Sequence, residues 1–273
     1  MLEQYLRKGQ FPFLWCPGCG NGTVTMGLLQ AIDELGLEKD RVAVISGIGC
    51  SSRVVFYLDF NTMHTTHGRA IAFATGVKLV KPELTVILAM GDGDAVAIGG
   101  NHFIHAARRN IDLTVIVYNN DNYGMTGGQV GPTTEEGART TTTLYGNIER
   151  PLDVVKLALA AGATYVARTT TYDFEELPRF IKRAIAHKGF SVVDVLTQCP
   201  TFYGRLNRLG DSYAMAHRFK RITVPIEEAE GMSPEDLEGK MITGEFRCEE
   251  RPEFVESYLE LVRRAREGEG VHA

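Results

Sequence analysis

Two polar clusters, each following an apolar run, constrain the fold of this chain more than any other feature. The first run, Leu84 to Met90, leads into Gly91-Asp92-Gly93-Asp94, and the second, Leu113 to Tyr118, leads into Asn119-Asn120-Asp121-Asn122. Residues 97–109 between them have the length and composition of a helix. The pattern predicts a βαβ unit, whose parallel strands place both clusters at one carboxyl edge. Open α/β sheets bind their ligands at that edge.

The two clusters carry oxygen donors that suit a divalent cation beside an anion. Asp92 supplies a carboxylate and Asn120 an amide carbonyl. Mg²⁺ takes few such protein ligands and completes its shell with phosphate oxygens and water. Gly91 and Gly93 let the backbone approach a bulky anion. The alternative is a pair of ordinary turns, since Gly, Asp and Asn dominate turns for conformational reasons. The placement of both clusters around one βαβ unit favours a metal–diphosphate site.

This pattern resembles the fingerprint of enzymes that depend on thiamine diphosphate (TPP). In that family the aspartate of the first cluster and the second asparagine of the other bind Mg²⁺. A backbone carbonyl two residues later completes the protein ligands. The resemblance therefore implies that Asp92, Asn120 and the carbonyl of Asn122 bind magnesium.

The chain has five cysteines, at positions 16, 19, 50, 199 and 248. The C-x-x-C pair of Cys16 and Cys19 can bind zinc, carry thiol redox chemistry or hold half of an iron–sulfur cluster. Thioredoxin-type chemistry is disfavoured because the pair precedes every predicted strand. A zinc finger would bring a second such pair close by, and none occurs. Cys50 and Cys199 each follow a strand-like run, so four thiolates from three places can hold a 4Fe–4S cluster.

Five segments together resemble the β subunit of 2-oxoacid:ferredoxin oxidoreductases, over about Trp15 to Tyr203. They are CPGCG at 16–20, GIGCSS at 47–52, HGRA at 67–70, GDGDA at 91–95 and NNDNYGMTGGQ at 119–129. The resemblance implies one 4Fe–4S cluster bound by Cys16, Cys19, Cys50 and Cys199. Cys248 has no counterpart in the family pattern and is expected to be a free thiol.

The resemblance also implies cofactor contacts and a reaction. The expected cofactor-binding residues follow the predicted strands: Ile48, Gly49, Cys50, Ser51, Ser52, Gly91, Gly93, Asp94, Gly124 and Met125. His67 is expected to hydrogen-bond the diphosphate, although a histidine just before a helix could instead be structural. The implied reaction is oxidative decarboxylation of a 2-oxoacid. Coenzyme A accepts the acyl group, and the electrons pass through the cluster to ferredoxin.

The substrate and the partner follow from the same resemblance. In this family the glutamate that activates TPP belongs to a separate α subunit, so a heteromer of two α and two β chains is expected. Arg53 stands where some relatives have lysine. It could bind the second carboxylate of 2-oxoglutarate, or it could contact the diphosphate or coenzyme A. The substrate 2-oxoglutarate is therefore favoured over pyruvate and other 2-oxoacids.

Two other classes of function are weighed against this one. A non-redox TPP-dependent decarboxylase would need a second domain with its own glutamate, for which 273 residues leave no room. A zinc-stabilised binding module with a degenerate site is the other alternative, and metal analysis separates it from an iron–sulfur protein.

The composition predicts one α/β core. At 273 residues and 44% hydrophobic content, the chain can bury a full-size core. Alternating strands and helices predict a doubly wound, mostly parallel sheet of the TPP diphosphate-binding type over residues 1–203. A C-terminal extension over 204–273 is charged and ends in an amphipathic helix. No run reaches membrane-spanning length and no signal peptide is evident. The net charge of −5 disfavours nucleic acid. A cytoplasmic protein is expected, because a low-potential cluster survives best in that compartment.

Overall fold

A computed structural model, which describes residues 2–267, places eight strands in one sheet. The strand order is β2-β1-β3-β4-β8-β7-β10-β9. The strands are β1 Val42–Ser46, β2 Asn61–His64, β3 Thr85–Gly91, β4 Leu113–Asn119, β7 Tyr165–Thr170, β8 Phe190–Leu196, β9 Thr223–Pro225 and β10 Met241–Cys248. Every neighbouring pair is parallel except β7 with β10. A separate hairpin joins β5 (Asn122–Tyr123) to β6 (Gln129–Val130).

Helices cover both faces of the sheet, as the alternating pattern predicts. They are α1 Asn21–Glu34, α2 Ala70–Val80, α3 Gly100–Arg109, α4 Val154–Ala161, α5 Glu176–Ala186, α6 Ser212–Ile222, α7 Ile226–Ala229 and α8 Phe254–Arg266. Apolar side chains of α2, α3, α4 and α8 pack on one face of the sheet, and those of α1 and α5 pack on the other. The predicted doubly wound α/β fold is confirmed.

The central strands are buried on both faces, which explains their uninterrupted apolar sequence. Every residue of β1 and of β4 is buried. Strands covered by helices on both sides show continuous Val and Ile rather than alternation. The predicted βαβ unit is therefore confirmed as β3, α3 and β4, with a short π-helical turn at Gly93–Ala97 before α3.

The direction in which successive strands are added to the sheet reverses after β2, and this reversal makes a crevice between β1 and β3. From β1 the chain runs outward to β2, and then returns across β1 to β3 on the other side. The connections that leave the carboxyl ends of β1 and β3 therefore diverge. Such a switch point is where open α/β sheets bind ligands.

An ion triad joins β7, β8 and α4 beneath the carboxyl edge. The buried Arg168 donates through Nε to Asp194 at 2.8 Å and through Nη2 to Asp153 at 2.5 Å. Asp153 also caps α4 by accepting from two backbone amides. Burial raises the pKa of the Asp194 carboxyl despite its cationic partner. The triad depends on Arg168, because two carboxylates converge on it.

The predicted extension contributes to the same sheet. Strand β10 pairs antiparallel with β7, with a bulge between Glu245 and Arg247. Val255 of α8 packs among the core side chains of α2, α3 and α4. The division at residue 203 stays a prediction, and residues 268–273 of the extension lie outside the described range. Among the helices between residues 2 and 267, none is both long and apolar enough to cross a membrane.

Candidate functional site

A cavity of about 100 Å³ lies at the switch point between β1 and β3. Most of the predicted site residues line it: Ile48, Gly49, Cys50, Ser51, His67, Gly91, Asp92, Gly93, Asp94, Asn120, Asn122, Gly124 and Met125. Besides the cluster cysteines described below, two predicted site residues do not line this cavity. Ser52 is fully buried behind the cavity, where its carbonyl accepts from the Ser46 hydroxyl at 3.0 Å. Arg53 lines the neighbouring cavity instead.

Three oxygen-bearing residues form the base of this first cavity. Asp92 is buried, and its Oδ2 atom accepts a hydrogen bond from Thr133 Oγ1 at 2.8 Å. Burial raises the pKa of Asp92 to about 6. The Asn122 side chain is buried with both polar atoms unpartnered, and its backbone carbonyl accepts from the Gly124 amide at 3.1 Å. A carbonyl has a second lone pair to offer. Unpartnered buried polar atoms beside a carboxylate fit a hard cation that takes oxygen ligands, as predicted for Asp92, Asn120 and Asn122.

Glycines bring the walls of this cavity close together. A Cβ atom at Gly93 would lie 2.1 Å from the ring of Tyr123, and one at Gly47 would lie 2.2 Å from the Asp94 carboxylate. No side chain fits at either position. Glycine at these positions therefore lets Tyr123 and the Asp94 carboxylate pack directly against the backbone.

His67 is held by Asp94 at the wall of the cavity. The Nδ1 atom of His67 lies 2.6 Å from Oδ1 of Asp94. The same carboxylate oxygen accepts from the amides of Gly68 at 2.7 Å and Ile48 at 3.2 Å. A carboxylate only accepts, so Nδ1 carries the proton and Nε2 is the nitrogen left for a ligand. When the ring is protonated, Nε2–H can donate to an anion.

A second cavity, of about 340 Å³, contains all four cysteines predicted to bind the cluster. Three contacts bring their separated segments together. The Gly20 amide donates to the Gln198 carbonyl at 3.1 Å, and the Trp15 indole donates to the Cys50 carbonyl at 2.6 Å. A Cβ at Gly124 would lie 3.6 Å from the sulfur of Cys50 and 3.7 Å from that of Cys199. We call this space the thiol cavity. Cys248 is exposed on β10, outside it.

Two thiols in this cavity, those of Cys19 and Cys50, are costly to deprotonate on their own. Burial, with smaller contributions from neighbouring thiols, raises the pKa of Cys19 to about 12 and that of Cys50 to about 11. Thiols bind metal only after losing their protons, so the positive charge of the bound metal must offset the free-energy cost of deprotonation. Within residues 2–267, no three His, Cys, Asp or Glu side chains are grouped to hold a single metal ion. Iron–sulfur clusters instead use one thiolate at each iron, and four thiols around one cavity fit that requirement.

The two cavities share a wall. Cys50, Asn120, Gly124 and Met125 line both of them. The loop after β1 and the turn after β4 thus face the diphosphate-type site on one side and the thiols on the other.

Several lining residues escape prediction from the sequence. Tyr118, Tyr123 and Thr126 line the first cavity. The two tyrosines flank the polar run Asn119 to Asn122, and this position beside the run is the sequence signal that could have indicated them. Thr133, which bonds Asp92, lies in a loop with no motif that marks it. His64, at the end of β2, is not among the lining residues, and its Nε2 atom is buried without a hydrogen-bond partner.

Comparison with known proteins identifies similar chains. Residues 47–195 match the family described as Thiamine pyrophosphate enzyme, C-terminal TPP binding domain. The chain is 51% identical to the 2-oxoglutarate synthase subunit KorB of Methanocaldococcus jannaschii, over 95% of this chain and 96% of that one. It is 48% identical to the 2-oxoacid:ferredoxin oxidoreductase subunit beta of Saccharolobus solfataricus, over 69% of this chain and 62% of that one.

A solved structure is similar along the whole chain. The 2-oxoglutarate:ferredoxin oxidoreductase of Magnetococcus marinus, solved with 2-oxoglutarate, coenzyme A and succinyl-CoA bound, superposes with a TM-score of 0.86 at 35% identity. The match covers 100% of this chain and 92% of that one.

Proposed function

Because the chain belongs to the β-subunit family of 2-oxoacid:ferredoxin oxidoreductases, we propose that it binds the diphosphate end of TPP in a heteromeric enzyme. That enzyme converts 2-oxoglutarate and coenzyme A to succinyl-CoA and CO₂, and ferredoxin receives the electrons. The family assignment rests on the identities to the archaeal relatives and on the match over residues 47–195.

The wall shared by the two cavities is the observation that carries this proposal. A cofactor in the first cavity and a cluster in the thiol cavity would be separated only by Cys50, Asn120, Gly124 and Met125. Electrons released from a substrate bound to the cofactor then have a short route to the cluster. A decarboxylase without redox chemistry has no use for four thiols at that position.

The residues of the first cavity bind and orient the cofactor. When bound, TPP supplies the electron-accepting ring system that lets a 2-oxoacid lose CO₂. Asp92, Asn120 and the Asn122 carbonyl would hold Mg²⁺ against its diphosphate, because their oxygen atoms line one cavity. His67, aligned by Asp94, presents Nε2 to the same anion. These residues fix one end of the cofactor and leave its reactive end for the partner chain.

The four cysteines of the thiol cavity would hold a 4Fe–4S cluster, which stores and passes single electrons. Cys16 is exposed, whereas Cys199 is buried. The cluster would therefore extend from the shared wall towards the protein surface. Its position supports ferredoxin as the electron acceptor.

The substrate 2-oxoglutarate is supported by a residue as well as by the relatives. Arg53 lies on the helical turn Ser51–Phe56 and lines the thiol cavity next to the shared wall. Its guanidinium lies over the Phe56 ring at 5.4 Å, and no carboxylate pairs with it in the described part of the chain. It is free to bind the distal carboxylate of 2-oxoglutarate. Pyruvate, which has no second carboxylate, is the alternative substrate.

The partners follow from the incomplete site. The activating glutamate of TPP is expected on an α subunit, so we propose an assembly of two α and two β chains. Coenzyme A, the 2-oxoacid and ferredoxin complete the list of partners, and the proposed location is the cytoplasm.

The purified αβ complex tests this function. Ferredoxin reduction is measured with coenzyme A and either 2-oxoglutarate or pyruvate, together with iron and acid-labile sulfide. We expect kcat/KM to be at least about tenfold higher for 2-oxoglutarate, which corresponds to about 1.4 kcal/mol of transition-state binding. Arg53→Gln should remove most of that preference. Equal use of both substrates would overturn the substrate assignment, and stoichiometric zinc without iron would overturn the redox function.

A further inference from the structure

An arginine-rich surface borders the thiol cavity, and we infer that it docks the acidic iron–sulfur protein that removes electrons from this chain. Arg139, Arg205 and Arg208 form this surface, and all three are exposed. We call it the basic surface. The inference rests on the proposed function, because it names where the electron acceptor binds.

The chain segment that follows Cys199 carries two of these arginines away from the thiol cavity. Pro200, Thr201 and Phe202 line the cavity within the π-helical turn Pro200–Gly204. Arg205 follows that turn directly. Arg208 has a left-handed backbone with φ of 54°, and the next amide, that of Leu209, closes the turn by donating to the Gly204 carbonyl at 2.9 Å. Both arginines are therefore fixed close to the cavity that holds the thiols.

The far end of the same segment packs on the C-x-x-C turn. A Cβ at Gly18 would lie 1.7 Å from the Ser212 hydroxyl oxygen. The segment between Cys199 and Ser212 thus lines the thiol cavity at its start and packs on the C-x-x-C turn at its end. The carboxylate of Asp211 in this segment caps α6 by accepting from the Ala214 amide at 2.8 Å.

Asn207 connects the backbone of Arg139 to the segment that carries Arg205 and Arg208. The Arg139 amide donates to the Asn207 side-chain oxygen at 2.7 Å, and the Asn207 side chain donates back to the Arg139 carbonyl at 2.9 Å. This pair of bonds attaches the loop after β6 to the segment after Cys199. Arg139, Arg205 and Arg208 consequently lie on two chain segments that are bonded to each other, and one of these segments begins at the thiol cavity.

The three arginines of the basic surface are not paired with carboxylates. Among residues 2–267, no ion pair includes Arg139, Arg205 or Arg208, and Glu135, in the same loop as Arg139, pairs with Arg218 instead. The whole chain carries a net charge of −5, so this surface opposes the average charge of the molecule. Local excess charge of one sign steers an oppositely charged partner and accelerates its association. An acidic electron carrier fits that surface.

The mouth of the thiol cavity supplies the apolar part of the same surface. Leu14 is 76% exposed, and Trp15 is half-buried beside the exposed Cys16. Redox partners form small interfaces, below about 1,200 Å². An apolar contact over the cluster with arginines at its rim suits such a brief encounter.

Assays with two electron acceptors distinguish a failure of this docking proposal from a failure of the proposed function. The αβ complex is assayed with 2-oxoglutarate and coenzyme A, using an acidic two-cluster ferredoxin or the small dye methyl viologen. The triple variant Arg139→Glu/Arg205→Glu/Arg208→Glu should lower kcat/KM for ferredoxin at least about tenfold at low salt. It should leave viologen reduction within about twofold, because a small dye needs no docking surface. Added salt should slow the parent complex and have little effect on the variant.

A control and a conservative variant complete the experiment. Arg109→Glu, an exposed charge reversal at the end of α3 at the opposite edge of the sheet, should change neither rate. Replacing the three arginines by lysine should preserve most of the ferredoxin rate. A ferredoxin rate unchanged in the triple glutamate variant would overturn the docking proposal alone. Loss of α-subunit binding in that variant, measured by mass photometry, would assign the basic surface to the subunit interface and also overturn it. A parent complex that reduces neither acceptor would overturn the proposed function.

Discussion

The Asp94 carboxylate holds the ring of His67 through a 2.6 Å contact between Oδ1 and Nδ1. The same oxygen accepts from the amides of Ile48 and Gly68. Asp94 therefore organises the loop after β1, the turn before α2 and the imidazole at once. A carboxylate facing a diphosphate directly would repel it, so we propose that Asp94 acts on the diphosphate of the cofactor through His67.

Replacing Asp94 tests this arrangement. Asp94→Asn can still accept from the two amides, but it replaces the charge-assisted hydrogen bond to His67 Nδ1 with a weaker neutral one. We expect TPP and Mg²⁺ to bind the αβ complex about 10- to 100-fold more weakly, the range found for outer partners of metal sites. Isothermal titration calorimetry measures the affinity, and circular dichroism should show an unchanged fold. His67→Gln should give a similar loss, and an unchanged affinity in both variants would exclude the proposed role of the pair.

Asp92→Ala should abolish retention of TPP and Mg²⁺ while the fold and the cluster remain. The substitution removes one of the few protein ligands and leaves the diphosphate charge poorly neutralised. The measurement is cofactor content after gel filtration, with iron content as an internal reference. Asp40→Ala, at an exposed position before β1, serves as the matched control. Normal TPP content in the Asp92 variant would remove the basis for the metal assignment.

Single replacement of Cys16, Cys19, Cys50 or Cys199 by Ala should remove the broad visible absorption of the cluster and the reduction of ferredoxin. A cubane cluster needs a thiolate at each iron, and these four line one cavity. Cys248→Ala should retain both properties, because Cys248 is exposed on β10. A colourless Cys248 variant together with a brown Cys199 variant would show that the fourth ligand is wrongly assigned.

Expressed alone, this chain should bind TPP weakly and oxidise no 2-oxoacid, and adding the α subunit should restore both. The cavity at the switch point holds only the diphosphate end of the cofactor, so the reactive end needs a second chain. Calorimetry on the isolated chain and turnover assays with and without α measure the two effects. Full turnover by the isolated chain would contradict the two-subunit mechanism.

Arg168→Met should destabilise the fold by about 3–5 kcal/mol at neutral pH, because it leaves the buried Asp194 without its cation. Burial raises the pKa of Asp194, and losing Arg168 raises it further. The folded variant then binds a proton more tightly than the unfolded chain does. The loss of unfolding free energy in the variant, relative to the parent, should therefore grow as pH rises above about 4, the ordinary pKa of aspartate. It should shrink below that pH. Urea unfolding at several pH values measures this, with the exposed Arg179→Met as control. A deficit independent of pH would show that lost packing, not the unpaired carboxylate, dominates.

Local sequence predicts the core of this fold well. The strand-like run before Cys50 is β1, and the apolar runs before both polar clusters are β3 and β4. Continuous Val and Ile are typical of strands buried on both faces, so the signal is strong at these positions. Helix α3 begins at Gly100 rather than at residue 97, because a π-helical turn fills the interval after the Asp92 turn.

Edge elements and contacts between distant segments could not be predicted in this way. Strand β2 (Asn61–His64) is polar and half-exposed, and its pairing with β1 is visible only in three dimensions. Strand β10 lies in a segment whose charges and glycines suggest a loop, and its bulge interrupts the alternation. In the site, the motifs identify the residues that face the cavities. The partners that fix those residues, such as Thr133 on Asp92 and Trp15 on Cys50, come from segments without a motif.

The antiparallel pairing of β10 with β7 bears on the solubility of the chain. Every residue of the six-residue strand β7 is buried, so a chain ending near residue 203 would expose the unpaired backbone of this strand as a sheet edge. Unpaired edges of that kind recruit strands from other molecules and aggregate. In the full chain the outermost strand on this side is β9, which has three residues and ends at Pro225. A short strand with a proline offers a poor template for pairing. We therefore expect the segment after residue 203, about a quarter of the polypeptide, to limit aggregation, and shortened versions intended for expression should retain residues up to at least Cys248.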